Sequence, residues 1–442
     1  MVLKNIVVIG ANQSGLAFAK FAADKGFDVK VFEAKAKDKV AYDWTDDMME
    51  ETFPQVGLPL PPEEIHTRKR SWTFIPPAQN VKVFVPVPEE ELDFTMYRRP
   101  FNAWLEELAT QAGAKVQYET RVDRLLIEDG RAVGVVLADG TKVDAGLVVD
   151  CGGVNSPIRT SLPDDFGIEQ NIDPNDTFMV RRTFFRRPEG TKRPQFTNCA
   201  YLKHLGEHGI SWCLLSYDEK SADVLIGRLG KLTDARYTNA LADLRRDNPI
   251  IGKEVVTGGE LLQIPVRHPI ATMVSGGYAL VGDSAYMTIP MLGSGMAAGM
   301  RAGRMLADVI ADPVGDPFSV ENLYRYQKQY MKEIGAEHSA INMMKNWLLK
   351  TDDKNVDFLI GKGIVNKKML VEASAGHMLR MTFPELVATG LRGIKRLDLL
   401  LELALLMGKM EKQLATAADM PEHYDKAALK AWRARYEKAF NK

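Results

Sequence analysis

The chain has 442 residues, 45% of them hydrophobic and 26% charged, a balance that suits a globular protein of two or three subdomains. Lys and Arg number 57 against 58 Asp and Glu, so a net charge of −1 gives no support for a nucleic-acid partner. Three cysteines (Cys151, Cys199, Cys213) without a C-x-x-C pair argue against a disulfide framework or a cysteine-based zinc site, and predict no metal and a reducing cytoplasm.

The N-terminus reads as a strand from its third residue and lacks a signal-peptide pattern. The apolar strand 3–9 runs into the loop GANQSG at 10–15, then a helix over 16–23 closed by Gly26. A second strand, 28–32, ends at Glu33. This is a βαβ opening with a near G-x-G-x-x-G loop, in which Asn12 stands where a second glycine is usual. Gly10 makes the tight turn, Gly15 lets helix approach strand, and the helix N-terminus offers N–H groups to a pyrophosphate. The Asn12 amide can donate to a phosphate oxygen, and Ser14 completes the loop's binding candidates. Glu33 lies 18 positions after Gly15 (33 − 15), near the offset of a carboxylate that accepts from ribose hydroxyls. The plain alternative is a βαβ unit without a ligand.

Residues 42–49 put Tyr42 and Trp44 beside three carboxylates, with Thr45 or Asp46 able to cap a helix. Arg98 stands at the start of a helix, and 117–122 reads as a strand ending at Val122. Between 165 and 262 the strand-like runs 177–185, 211–216 and 222–227 predict an antiparallel sheet. Arg181, Arg182, Arg186 and Arg187 can recognise an acidic head group or form a solvated face. A third strand–turn unit follows: strand 278–281, then Gly282 and Asp283, Pro290, Gly293, Ser294, Gly295 and Met296, then a small-residue helix over 297–310. Asp283 at a strand end can accept from ribityl hydroxyls, and the helix opening can aim N–H groups at a flavin.

Taken with the first loop and Glu33, this string resembles the FAD-dependent oxidoreductases of the p-hydroxybenzoate hydroxylase fold, over roughly 3–160 and 262–312. The overall layout is nearest to the geranylgeranyl reductase-like group. The resemblance implies FAD as cofactor, an α/β fold with a Rossmann-like FAD/NAD(P)-binding domain, an inserted antiparallel β-sheet substrate domain and a helical C-terminal region. The implied boundaries are 1–62, 95–164 and 262–320 for the FAD-binding domain, 63–94 and 165–261 for the substrate domain, and 321–442 for the helices. By the same resemblance Arg98 contacts the cofactor near its pyrophosphate, Val122 contacts adenine through its backbone, and the 42–49 stretch passes near the flavin.

The sequence departs from its relatives in places. Where NAD(P)H-dependent hydroxylases carry Asp-Gly-x-x-Ser-x-x-Arg, this chain has Gly152 for the Asp and keeps Gly153, Ser156 and Arg159. That implies a separate electron donor: a reductase, a ferredoxin or reduced flavin. The halogenase Trp-x-Trp-x-Ile-Pro motif is absent, and 72–76 gives only a partial likeness. Trp212 alone matches the reductases' Tyr-x-Trp-x-Phe-Pro segment.

Beyond about 320 the chain reads as helical and Met-rich (Met343, Met344, Met369, Met378, Met381, Met407, Met410). Its 391–401 stretch is amphipathic and basic at its start, which suits either a helical cap or a helix on anionic lipid. No apolar run reaches the roughly 18 residues of a membrane span. The expectation is a cytoplasmic protein, at most peripheral to the membrane. Its predicted activity is hydride transfer from reduced flavin to a C=C bond of a hydrophobic, lipid- or isoprenoid-like substrate. The alternative is a two-component flavin monooxygenase acting on an apolar or aromatic substrate. Tyr42, Trp44, Trp212 and His268 are the candidate catalytic side chains.

Overall fold

The computed structural model describes residues 5–88, 92–365 and 392–440. The chain begins β1 (Asn5–Ile9), α1 (Gln13–Asp24), β2 (Asp28–Phe32), β3 (Thr45–Met48), α2 (Thr52–Val56), β4 (His66–Arg68), β5 (Trp72–Ile75), β6 (Val83–Val85), β7 (Phe94–Tyr97), α3 (Arg98–Gln111), β8 (Lys115–Gln117). It continues β9 (Val122–Glu128), β10 (Arg131–Leu137), β11 (Lys142–Asp144), β12 (Leu147–Asp150), β13 (Thr177–Arg186), β14 (Asn198–Leu202), β15 (Gly209–Leu215), β16 (Ser221–Leu229), α4 (Asp234–Asp247), β17 (Val255–Pro265), β18 (Val274–Ser275), β19 (Tyr278–Leu280). Helices complete it: α5 (Met296–Ala311), α6 (Val320–Tyr330), α7 (Ala336–Lys350), α8 (Asp353–Gly361), α9 (Leu397–Ala418) and α10 (Lys426–Glu437).

A six-stranded sheet in the order β18-β19-β12-β1-β2-β8 holds the first loop. Its central strands are parallel, with Val8 level with Val31 of β2 and Val149 of β12. Strands buried on both faces need continuous apolar runs, which Ile6–Val8 and Leu147–Val149 supply. Helices α1 and α5 pack together through small residues: a Cβ at Gly303 would lie 3.1 Å from the Phe18 backbone nitrogen.

A seven-stranded sheet follows the order β17-β13-β16-β15-β14-β5-β6, antiparallel except at β14–β5. Alternation along each strand gives it two apolar faces. One buries Cys199, Tyr201, Cys213, Val224 and Ile226 against Ala240, Leu241 and Leu244 of α4. The other carries Phe178 and Val180 with half-buried Phe184, Leu229, Leu262 and Ile264, closed by Trp44 and Val266.

Two local expectations change. Residues 45–48 form a strand, not a helix start, because Thr45 and Asp46 pair with Tyr97 and Met96 of β7. Residues 118–121 form a bend between β8 and β9 with Glu119 at φ 53°, and Val122 begins the next strand rather than ending one. The C-terminal region is helical where described. Met369, Met378, Met381 and Leu391 lie outside the described residues.

Candidate functional site

The first loop turns at Gly10, whose φ of 99° is left-handed and whose Cβ, if present, would lie 2.8 Å from the Cys151 carbonyl oxygen. A Cβ at Gly15 would collide with the Gly10 carbonyl oxygen. Asn12 occupies the N-cap of α1: its Oδ1 accepts from Gly15 N at 3.2 Å and its Nδ2 donates to Cys151 O at 2.6 Å. The amide oxygen and one of the two Nδ2–H donors are therefore held within the protein. Asn12 thereby fastens the loop to the end of β12, while its second Nδ2–H and the N–H groups of Gln13 and Ser14 can still face an anion. Glu33 sits over the same loop, with Oε2 accepting from Ala11 N at 3.0 Å and Oε1 from Lys35 N at 2.9 Å.

The second motif meets the first through Ser14. A Cβ at Gly282 would stand 2.7 Å from the Ser14 Oγ, and one at Gly299 would collide with it. Residues Gly282–Ala285 form a 3₁₀ turn after β19. The loop beyond, carrying Pro290, closes on itself: Gly293 N donates to Ile289 O and Ile289 N to Ser294 O, both at 2.8 Å. Gly295 is the N-cap of α5, which opens at Met296, and its Cβ would lie 3.0 Å from the Asp283 Oδ1. The Asp283 carboxylate thus faces the first turn of α5. Among the described residues it receives no hydrogen bond, and burial pushes its pKa up to about 6 against the pull of Arg98.

Arg98 makes a two-pronged ion pair with Asp46, Nε and Nη2 each at 2.5 Å, and its guanidinium lies 5.1 Å from the Trp44 ring centroid. It stands beside Asp283, so it belongs to the second motif's carboxylate as much as to the first loop. Val122 is buried in the core of the Rossmann-like domain.

Trp44 and Trp212 flank one cation. The Arg182 guanidinium lies 5.5 Å from the Trp44 centroid, 5.3 Å from Trp212 and 5.5 Å from Phe184. Its Nε donates to Asp223 at 2.8 Å and its Nη1 to Thr45 O at 2.7 Å. Both indole Nε1 atoms are buried, and among the described residues neither finds a hydrogen-bond partner. Tyr42 packs against Trp44 at 5.6 Å. The other candidate head-group arginines are likewise paired: Arg181 with Asp234, Arg186 with Glu254 and Arg187 with Glu219. Of the two readings offered for these arginines, the solvated strand face suits the surface pairs of Arg181 and Arg186, while Arg182 is buried in its pair with Asp223.

His268 does not join this group. It stacks on Phe440 at 3.6 Å and contacts Asn342, Glu437 and Arg267 at 3.1–3.3 Å. Burial and the Arg267 charge push its pKa well down, so it is neutral there. Its role as a catalytic acid gives way to that of a joint between β17 and the C-terminal helices.

Sequence reasoning missed two buried groups. Asp150 is a hub, accepting from Gly152 N at 2.8 Å, Ser156 Oγ at 2.5 Å and Tyr278 Oη at 2.7 Å. A Cβ at Gly152 would sit 3.0 Å from its Oδ1 and 3.1 Å from the Ser156 Oγ, so any side chain there would crowd this hub. Lys345 of α7 is the other: buried, with Nζ donating to Val266 O, its pKa lowered by burial to about 8. Its only sequence signal is one cation within the Met-rich stretch of α7.

Residues 4–332 match the family model described as an FAD binding domain, so the chain belongs to that family. It is an FAD-dependent oxidoreductase on a geranylgeranyl reductase-like fold. It is 22% identical over 440 residues to digeranylgeranylglycerophospholipid reductase of Sulfolobus acidocaldarius, covering 97% of this chain and 95% of that one. The crystal structure of a geranylgeranyl bacteriochlorophyll reductase-like protein from Thermoplasma acidophilum superposes with a TM-score of 0.72 at 18% identity, covering 89% of this chain and 98% of that one. A flavin-dependent brominase superposes at 0.61 and 16% identity, covering 89% and 99%. Among the described residues no helix is long and apolar enough to cross a membrane, and no cluster could hold a metal ion.

Proposed function

We propose that this protein saturates C=C bonds of an apolar, isoprenoid-like lipid. The observation that carries the reading is the seating of the Pro290–Gly293 loop on the sheet. A Cβ at Gly293 would lie 2.8 Å from Ile264 Cγ2 and 3.7 Å from Val266 Cγ1, so the loop that leads into α5 rests on the apolar cluster these two share with Phe178, Val180 and Leu262. Digeranylgeranylglycerophospholipid, in the name of the relative, is a substrate rich in such bonds.

The residues present fit FAD. The α1 N-terminus, with Gly10, Asn12, Ser14 and Gly15 shaping it, would hold the pyrophosphate, and Glu33 a ribose. Val122 would lie at the adenine end. The Asp283 carboxylate, free of protein donors among the described residues, would accept from the ribityl chain. Pro290, Gly293, Ser294, Gly295 and Met296 would bring the positive end of α5 to the ring. When bound and reduced, FAD supplies a hydride to one carbon of the double bond, the other taking a proton from the protein or from water. The apolar sheet face excludes water, and Arg98 with Asp46 sets the charge beside Asp283. Gly152, in place of the hydroxylases' Asp, supports a separate electron donor.

The test is anaerobic turnover of a geranylgeranyl lipid with dithionite-reduced protein, followed by mass spectrometry. The expected product gains two hydrogens per bond. A product that forms only with oxygen and gains an oxygen atom would replace this reading with a monooxygenase. Bound flavin should bleach with dithionite and not with NADPH alone; rapid bleaching by NADPH would remove the separate donor.

A further inference from the structure

Helix α9 is apolar on two faces. Its inner face, Leu399, Leu403, Leu406 and Met410, is buried with Ala340 of α7 and Leu359 of α8. On its outer face Leu397, Leu401 and Leu405 are 63%, 62% and 60% exposed. At about 100° per residue these three fall within one stripe about 80° wide, which exposed Ala404 and Gly408 extend until Lys412 enters it one turn further on. A helix apolar all round is ordinarily covered on every side, and a contiguous exposed patch of this kind marks a contact surface.

Cations edge the stripe. Arg392 and Lys395 are exposed before its start, and Lys409 and Lys412 along its second half. The acids nearby are partly spoken for: Asp398 pairs with Arg396 at 2.8 Å, and Glu402 accepts from Trp347 Nε1 at 2.7 Å. Glu411 is the third. Over 392–412 five Lys and Arg residues stand against three acids, so this stretch is net positive through the cations that lead into the helix.

We infer that α9 lies flat on an anionic lipid surface, with Leu397, Leu401 and Leu405 among the acyl chains and the flanking lysines at the headgroups. Three leucines offer a few hundred Å², below the roughly 800 Å² per partner of a stable dimer, so a second copy is the poorer occupant. Spanning is also excluded for this helix, since none of the described helices is long and apolar enough. The inference goes beyond the proposed chemistry and holds whichever substrate the flavin reduces.

The test floats the full-length FAD-loaded protein with vesicles of phosphatidylcholine, alone or mixed with phosphatidylglycerol. The protein should float with the anionic vesicles and less with the neutral ones. The Leu401→Ser/Leu405→Ser variant should partition about tenfold less or weaker still. Lys409→Gln/Lys412→Gln should lower binding to anionic vesicles only, as added salt does. Retained FAD and an unchanged melting curve verify folding. A second measurement labels Leu401→Cys with nitrobenzoxadiazole, selectively because Cys151, Cys199 and Cys213 are buried. Its emission should shift blue on adding vesicles, while a label at Lys142→Cys on β11 should not shift. Equal flotation of the leucine variant and wild type, an unshifted label at 401, or a wild-type dimer that the leucine variant dissolves would each overturn the inference.

Discussion

The hydroxyl of Ser14 leaves no room for a side chain at Gly282, 268 positions further along the chain (282 − 14): a Cβ there would lie 2.7 Å from the Ser14 Oγ. This close approach joins the loop that follows β1 to the turn that follows β19. With Gly299 on the other side of Ser14, it fixes where α1 and α5 begin relative to each other. Replacing Gly282 by Ala places a methyl group against Ser14 and also strains a residue at φ 78°. The expected cost is about 2 kcal/mol of stability together with weaker FAD retention. Thermal melts and the flavin absorbance per protein check both. In Ser14→Ala/Gly282→Ala much of the steric part should return, and a double variant as unstable as the sum of the singles would show that Ser14 is not what Gly282 accommodates.

Asp283 should make the stability of the FAD-free protein fall as pH rises. Its ordinary value is 3.8 and burial raises it to about 6 in the fold. Below 3.8 both states carry the proton and there is no penalty. Between 3.8 and 6 the unfolded chain releases its proton while the folded chain holds it, so stability drops through that window and stays low above it. Asp283→Asn removes this dependence. The variant should gain up to about 3 kcal/mol over the wild-type apoprotein at pH 7 and nothing at pH 3.5. Urea melts of the two apoproteins at both values test it. The same variant, and Glu33→Ala, should lose FAD more readily on dialysis; unchanged retention in both would remove these residues from the cofactor's site.

The two unpartnered indoles lead to a different expectation. A buried N–H without an acceptor costs roughly 1–3 kcal/mol, and Trp44 and Trp212 each carry one beside Arg182. Phe in their place removes the orphan donor and keeps an aromatic face toward the guanidinium. Trp44→Phe and Trp212→Phe should therefore change stability by less than about 1 kcal/mol, far below the 3–5 kcal/mol of a large-to-small core change. If these N–H groups meet the substrate, kcat/KM falls in the Phe variants while the flavin spectrum and melting temperature stay put. Steady-state kinetics with the geranylgeranyl lipid makes the distinction.

Much of the Rossmann-like half was legible because its signals are local. The run Ile6–Ile9, the glycine loop and the strand ending at Glu33 occupy some thirty adjacent residues, and each dictates its own backbone. The seven-stranded sheet was legible as strands through alternation in β13, β15 and β16, although not in its order, since β17 joins β13 across roughly seventy residues. Side-chain roles were harder to read. Asn12 reads as a phosphate donor, and nothing near it announces that the Cys151 carbonyl, 139 positions away, takes one of its N–H groups. Arg181, Arg182, Arg186 and Arg187 read as either an anion site or a solvated face until Asp234, Asp223, Glu254 and Glu219 arrive from other elements. His268 looks like an acid near a flavin until Phe440 and Glu437 close over it. In each case the deciding partner is distant in sequence, and no local pattern announces it.

Lys345 gives the last expectation, of opposite sign to Asp283. It is 4% exposed, its Nζ donates to the Val266 carbonyl, and Asp176 and Arg267 act on it from opposite directions of charge. Burial outweighs Asp176 and brings its pKa from 10.5 to about 8. Above 10.5 both the folded and unfolded chains hold a neutral amine, and the fold carries no penalty. As pH falls from 10.5 to 8 the unfolded chain takes up the proton first, so the penalty grows; below 8 it is complete. Wild type should therefore gain on Lys345→Met by up to about 3 kcal/mol between pH 8 and pH 10.5. Because Met also leaves the Val266 carbonyl without its donor, the absolute difference at pH 7 mixes two effects, whereas the slope isolates the lysine. Guanidinium melts of both proteins at pH 7.5, 9 and 10.5 read that slope. A flat difference across the three values would mean that the Lys345 ammonium is as well solvated in the fold as in the unfolded chain.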